Sequence, residues 1–159
     1  MNPKTSLLIL ATFFVFGQSC SQDNKTNKSL AHKDTSTVKP NSAMTNYFPF
    51  TISTSEGKFI IQAATESPEL YPTYAEVFAR NEYSGNGYSW EGHIIQILEK
   101  LNPALLQHIE FDPEAGSFFC YADTKENQLK FVEILSPIFA DLKKLEEYIK
   151  KANRTRIDD

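Results

Sequence analysis

The first 45 residues of this 159-residue chain contain no segment that could contribute to a packed core. Residues 7–16 form a ten-residue apolar run, which is too short for a bilayer-spanning helix of about 20 residues but typical of an export signal. Residues 21–45 are almost entirely polar, and their few large apolar residues stand alone. Such a segment cannot bury enough apolar surface to offset the entropy of ordering it. We therefore expect one folded domain, in residues 46–159.

The apolar run is followed almost directly by a cysteine, as in the export signals of bacterial lipoproteins. Lys4 precedes the run, and Gly17-Gln18-Ser19-Cys20 follows it. Ser19 is similar to the small residue that precedes the lipidated Cys in that class. The resemblance implies that residues 1–19 are removed and that Cys20 carries fatty acyl chains such as palmitate. An ordinary secretory signal and an uncleaved anchor are the alternatives, and we favour lipidation because the Cys lies so close to the run.

A lipidated Cys20 has consequences for location and for the segment behind it. Residues 20–45 would form a disordered polar tether between membrane and domain. We expect attachment in the cell envelope, at the outer membrane, because Ser21 rather than Asp follows the Cys.

Charge is unevenly distributed along the chain. Residues 21–45 carry four Lys and two Asp, whereas residues 46–159 carry eleven basic and eighteen acidic residues, a net charge of −7. A nucleic-acid-binding domain normally presents a basic stripe, so nucleic acid is disfavoured as a partner. The acidity either keeps the domain soluble or complements a basic partner.

Cysteine and histidine are scarce. Two Cys and three His are too few for a disulfide framework or a usual structural zinc site. If Cys20 is acylated, Cys120 has no disulfide partner. We therefore expect no metal site.

The apolar pattern predicts two hairpins, each followed by helices. Four strands are expected, at residues 47–53, 58–64, 108–111 and 117–122. Four helices are expected: one after Pro68 and Pro72, one over 89–101 with Ser89 as N-cap, one from Thr124 that Pro137 kinks or splits, and one around Leu145, Tyr148 and Ile149. The order ββααββαα indicates an α+β domain, with a small antiparallel sheet and helices packed on one side.

The first distinctive motif is Gly85-Asn86-Gly87-Tyr88-Ser89-Trp90-Glu91-Gly92. Its glycines give the backbone freedom for a tight loop that leads into a helix. A glycine-rich loop before a helix can hold phosphate, but no Lys follows, and Glu91 in the first turn would repel it. We therefore disfavour nucleotide binding and expect Trp90 to fill the core where the helix begins.

The second motif is Phe111-Asp112-Pro113-Glu114-Ala115-Gly116-Ser117-Phe118-Phe119-Cys120-Tyr121-Ala122. Two carboxylates two residues apart could act as a general acid and base, but the positions of Pro and Gly favour a solvated hairpin turn. Cys120 follows in a strand. It could be a nucleophile only beside His93 or His108 in a positive environment, so we favour a core role.

Together the two motifs resemble the immunity protein 51 family of bacterial polymorphic toxin systems. The resemblance covers roughly residues 47–145 and implies a compact α+β domain that binds and neutralises a cognate toxin, without catalysis and without a cofactor. The positions that match the family pattern are Gly85, Asn86, Gly87, Trp90, Glu91, Phe111, Pro113 and Gly116.

The loop before the helix and the hairpin turn are the expected toxin-binding elements. We expect Tyr83 and Tyr88 to supply exposed aromatic contacts, and Asp112 and Glu114 to supply acidic ones. The helices around Tyr148 are the other candidate surface. An envelope lipoprotein with a ligand-binding or enzymatic role, or an adhesion or scaffold protein, is the alternative function.

Overall fold

Four strands and four α-helices form residues 46–159, the part of the chain that the computed structural model describes. The elements are β1 (Thr51–Ser55), β2 (Lys58–Ala63), α1 (Tyr71–Ala79), α2 (Gly87–Leu101), β3 (Ile109–Phe111), β4 (Phe118–Ala122), α3 (Lys125–Phe139) and α4 (Leu142–Ile149). The predicted α+β class and the ββααββαα order are confirmed. The predicted signal peptide, Cys20 and the tether lie outside the described residues.

All strand pairs of the four-stranded sheet are antiparallel, in the order β1-β2-β4-β3. The first hairpin turns at Glu56 and Gly57, whose φ angles are 51° and 79°, so the predicted turn is confirmed. β1 is an edge strand, as predicted, but it begins at Thr51. The prediction of a strand from residue 47 was wrong, because the Phe50 amide donates to the Tyr47 carbonyl (2.8 Å) and closes a turn before the strand.

The sheet has one covered face and one open face. Phe118, Cys120 and Ala122 on β4 are buried, whereas Phe119 and Tyr121 between them are only partly buried. Because side chains alternate along a strand, the buried set points towards the helices. α3 contacts β2 and β4, and α2 contacts β4, so the prediction of helices on one side is confirmed.

Trp90 lies at the centre of an aromatic core. Its side chain is fully buried, with ring centroids 4.9 Å from Tyr74, 4.8 Å from Phe139 and 6.1 Å from Phe78. The prediction that Trp90 fills the core is confirmed. Burial of a side chain of this size makes it a large contributor to the free energy of folding.

Two helix ends differ from the predictions. α2 begins at Gly87, and Asn86 caps it by accepting a hydrogen bond from the Ser89 amide (2.8 Å). Ser89 was therefore the wrong N-cap: it sits inside the helix, with its side chain buried. The prediction that Pro137 splits its helix was wrong: α3 runs through Pro137 to Phe139, and α4 begins at Leu142.

Other local features follow the expected chemistry. Thr124 caps α3 through the Asn127 amide (3.2 Å), as predicted. A 3-10 helix over Pro103–His108, which was not predicted, connects α2 to β3. Within residues 46–159, no helix has the length and apolar character needed to cross a membrane.

Candidate functional site

The two sequence motifs meet in the fold. The Gly87 amide, at the start of α2, donates a hydrogen bond to the Ala115 carbonyl in the turn between β3 and β4 (3.1 Å). A Cβ atom on Gly87 would overlap the carbonyl oxygens of Glu114 and Ser117. Glycine is required here because backbone lies directly against backbone. We call residues 83–88 and 112–117 the motif corner.

The loop side of the motif corner is shaped by local hydrogen bonds. Gly85 has φ of +72°, and an added Cβ would lie 3.0 Å from Phe78 Cβ, so both conformation and space favour glycine. The Ser84 hydroxyl accepts a hydrogen bond from the Asn86 amide (3.1 Å). These contacts set the direction from which the chain enters α2.

The turn side of the motif corner is a short antiparallel ladder. The Glu114 amide donates to the Ser117 carbonyl (2.8 Å), and the Ser117 amide donates back to Glu114 (3.2 Å). The Glu66 amide donates to the Gly116 carbonyl (3.2 Å), which joins the loop after β2 to the same turn. The turn therefore brings the exposed Glu66 and Glu114 side chains near the start of α2.

The motif corner brings together most, but not all, of the predicted contact residues at its surface. Asp112 and Glu114 are exposed and Tyr88 is partly exposed. The expectation that Tyr83 is exposed was wrong, since its relative exposure is 7%. Its ring packs on His93, with centroids 4.5 Å apart, and the Arg154 guanidinium lies 4.5 Å from its centroid. Tyr83 therefore packs in the interior and not at the surface.

The remaining motif residues support the corner from within. Phe111 is partly buried, with its ring centroid 6.3 Å from that of Phe118, and Pro113 is partly buried in the turn. Glu91 is partly buried on α2, where burial, together with the negative charge of Asp158, raises its pKa. The positions shared with the family pattern are thus mainly structural.

The start of α2 offers few free backbone amides that could bind phosphate. The Gly87 amide is taken by Ala115, the Ser89 amide by Asn86 Oδ1, and the Trp90 amide by the Asn86 carbonyl (3.0 Å). Helix N-termini bind anions through free amides of this kind. Most of these donors are already occupied.

The thiol and the two imidazoles considered for nucleophilic catalysis are used structurally. Cys120 is fully buried, and burial raises the pKa of its thiol, which disfavours the reactive thiolate. His93 is buried and donates from Nδ1 to the Ser89 carbonyl (2.7 Å), while His108 pairs with Asp123 (2.7 Å). Within residues 46–159, no group of three or more His, Cys, Asp and Glu side chains is arranged to hold a metal ion.

Tyr121 is a surface residue that the sequence motifs did not single out. Its hydroxyl donates to Asp112 Oδ2 (3.3 Å), and Lys58 Nζ lies 4.7 Å from its ring centroid. Only the alternation of β4 could have indicated it, since Tyr121 sits between the buried Cys120 and Ala122. Through Asp112, the open face of the sheet is continuous with the motif corner.

The family comparison agrees with the motifs. The family model described as immunity protein 51 matches residues 67–154, which include both motifs and extend from the loop after β2 to Arg154, beyond the end of α4. No curated protein and no solved structure matches the chain.

Proposed function

The chain belongs to the immunity protein 51 family, and from that premise we propose that it binds a cognate bacterial toxin. It neutralises the toxin by covering the surface through which the toxin acts on its target. The observation that carries the proposal is the direct backbone contact between Gly87 and the turn at Ala115. Two motifs that are separate in sequence thereby form one rigid, acidic corner.

Neutralisation by occupation agrees with the chemistry of the described residues. The thiol of Cys120 is buried, and the side chains of His93 and His108 are engaged in structural hydrogen bonds. What the surface offers is shape and negative charge, which set the rate and specificity of association with a basic partner. We therefore propose stoichiometric binding without a catalytic step.

The contact residues proposed at the motif corner are Tyr88, Asp112 and Glu114. A partly exposed aromatic ring can enter a pocket on the partner and slow dissociation. The two exposed carboxylates can attract a basic surface and accept hydrogen bonds from Arg or Lys. Tyr83 is left out of this set because it is buried.

The test is binding kinetics of the full chain with the toxin encoded by the neighbouring gene, at two ionic strengths. Glu114→Lys should slow association and flatten its salt dependence, and Tyr88→Ala should speed dissociation. Glu147→Lys is the matched charge control, since Glu147 is exposed on α4. Association that ignores salt and survives both corner substitutions would place the interface elsewhere, on the C-terminal helices around Tyr148.

We also propose that the domain is presented from a membrane as a lipoprotein, anchored through Cys20 in the cell envelope. The support is the apolar run of residues 7–16 and the Cys that follows it. Such a location suits a toxin that acts on peptidoglycan or membrane, or one met during entry. Cys20→Ser should yield a soluble protein or an uncleaved precursor, and a variant that is processed yet still partitions into membranes would contradict lipidation.

A further inference from the structure

The open face of the sheet carries a row of side chains that are exposed or partly exposed. Ile60 pairs with Tyr121, and Tyr121 pairs with Glu110 on β3. Phe119 lies two residues before Tyr121 on β4, and its side chain is therefore on the same face. These four residues, with Asp112 beside them, form what we call the open sheet face.

One end of the open sheet face is a cavity of about 370 Å³. Its polar lining consists of Lys58, His108, Glu110, Tyr121 and Asp123, together with Gln107. His108 Nδ1 is 2.7 Å from Asp123 Oδ2, and the Lys58 ammonium lies over the Tyr121 ring. The cavity therefore already holds one cation of this chain against an aromatic ring, and its lining includes the carboxylates of Glu110 and Asp123.

Charge favours a basic occupant for this face. Residues 46–123, which contain the whole sheet, carry three basic and eleven acidic residues, a net charge of −8. Residues 124–159 carry eight basic and seven acidic residues, a net charge of +1. Residues 46–123, which form α1 and α2 as well as the sheet, are thus strongly acidic, whereas residues 124–159 are nearly neutral. On the open sheet face itself, the acidic side chains are Glu110 and Asp112, with Lys58 at its edge.

We propose that the open sheet face is the central part of the toxin interface, and that a Lys or Arg side chain of the toxin enters the cavity over Tyr121, in place of Lys58. This inference rests on the proposed function and extends its interface from the motif corner across the sheet. A partly exposed aromatic ring with carboxylates beside it binds a guanidinium or ammonium group by cation–π and ionic contacts. The Tyr121–Asp112 hydrogen bond keeps the ring fixed before the partner arrives.

The experiment measures toxin binding by the full chain with substitutions on opposite sides of the domain. Tyr121→Ala should weaken binding by at least about tenfold, chiefly through faster dissociation, as expected for an aromatic anchor. Glu110→Lys should slow association and reduce its salt dependence. Glu133→Lys is the matched charge control, because Glu133 is exposed on α3, which packs on the covered face.

A third substitution tests the exchange of cations in particular. Lys58→Met removes the resident ammonium group from above Tyr121, so it should strengthen binding to the toxin or leave it unchanged. Loss of binding in Lys58→Met would contradict the proposal that the toxin replaces Lys58. Thermal melting of each variant shows whether the fold survives, and Glu110→Lys alters an exposed side chain without removing core packing.

The outcomes separate this inference from the proposed function. A wild-type chain that does not bind the neighbouring toxin overturns both. A wild-type chain that binds, with folded Tyr121→Ala and Glu110→Lys variants binding equally well, overturns only the open sheet face. A wild-type chain that self-associates in sedimentation, with Tyr121→Ala and Glu110→Lys variants that do not self-associate but still bind the toxin, would instead assign this face to a second copy of the chain.

Discussion

Replacing Gly87 by Ala tests whether the two motifs form one rigid corner. The added Cβ would overlap the carbonyl oxygens of Glu114 and Ser117, far inside the 3.0 Å limit that real Cβ atoms keep. Both obstacles are backbone atoms, so no side-chain rotation can relieve the overlap. Either the turn or the first residue of α2 must move, and the hydrogen bond from position 87 to Ala115 must lengthen or break.

The size of the effect follows from three terms. Overpacking in a tight contact costs about 1–3 kcal/mol, and loss of the amide hydrogen bond costs about 0.5–1.5 kcal/mol. Alanine recovers up to about 1 kcal/mol of helix propensity, and less than that at the first helical position. We expect net destabilisation of about 1–3 kcal/mol, with each kcal/mol lowering Tm by about 4–8 °C in a domain of roughly 100 residues.

Gly92→Ala is the matched control on the same helix. Its Cβ would meet Ile157 Cγ1 at 2.8 Å and Ile157 Cα at 3.0 Å, in the last residues of the chain. The nearest of these atoms belongs to a side chain that can rotate, whereas a Cβ at position 87 meets backbone carbonyl oxygens at much shorter distances. Gly92→Ala should therefore destabilise less than Gly87→Ala.

Thermal melting and amide hydrogen exchange are the assays. Gly87→Ala should lower Tm more than Gly92→Ala and should speed exchange of the amide at position 87. It should also weaken toxin binding below its Tm, because the corner is displaced. A Gly87→Ala variant that melts at or above the wild-type temperature, with its amide still protected, would refute the close approach of the two motifs.

Other substitutions probe the core, the buried imidazole and the surface ion pairs. Trp90→Ala should destabilise by about 3–5 kcal/mol because the ring is fully buried, and melting like wild type with lost protection would move Trp90 to the binding surface. Burial lowers the pKa of His93 below 6.5, so stability should fall as pH drops below 6.5, and His93→Phe should flatten that slope in denaturant titrations. Hydrogen bonds from Arg80 and Lys150 lower the pKa of Glu146 from 4.5 to about 2. The stability contributed by Glu146 is thus present above pH 4.5 and lost on acidification towards pH 2, and Glu146→Gln should reduce that acid dependence.

Most of the fold could be predicted from local sequence signals. Tyr74, Val77 and Phe78 recur at helical spacing and are buried on α1, and Thr124 caps α3 as its position indicates. These signals work because each depends on residues within a turn or two of one another. The strand predicted from residue 47 fails where a distant contact acts, because the Tyr47 carbonyl accepts a hydrogen bond from the Ser136 hydroxyl (2.8 Å) as well as from the Phe50 amide that closes the turn.

In the candidate site, too, the features that the sequence did not predict depend on contacts between residues that are distant along the chain. Tyr83 lies in a polar loop and was expected at the surface, yet Arg154, distant in sequence, covers its ring. The need for glycine at position 87 comes from a turn almost thirty residues away, whose carbonyls occupy the space of a Cβ. Tyr121 lies in the second motif but was assigned no role from sequence, because its partners Lys58 and Asp112 become its neighbours only through strand pairing. Contacts between elements are thus what the sequence alone does not supply.

The boundary of the family match bears on which part of the domain recognises a particular toxin. The match begins at residue 67, so β1 and β2 lie before it, although Ile61 and Ala63 of β2 are buried in the same core as the matched helices. The first hairpin is thus required by the fold but is not part of the matched pattern. It also supplies Lys58 and Ile60 to the open sheet face, whereas Phe119 and Tyr121 come from within the match. If the toxin binds this face as proposed, the anchor Tyr121 belongs to the matched β4, whereas two of the six named residues, Lys58 and Ile60, come from the unmatched β2 and set the charge and shape beside it. Specificity for one toxin over another would then arise from β2, because discrimination needs groups that reject a wrong partner as well as groups that hold the right one.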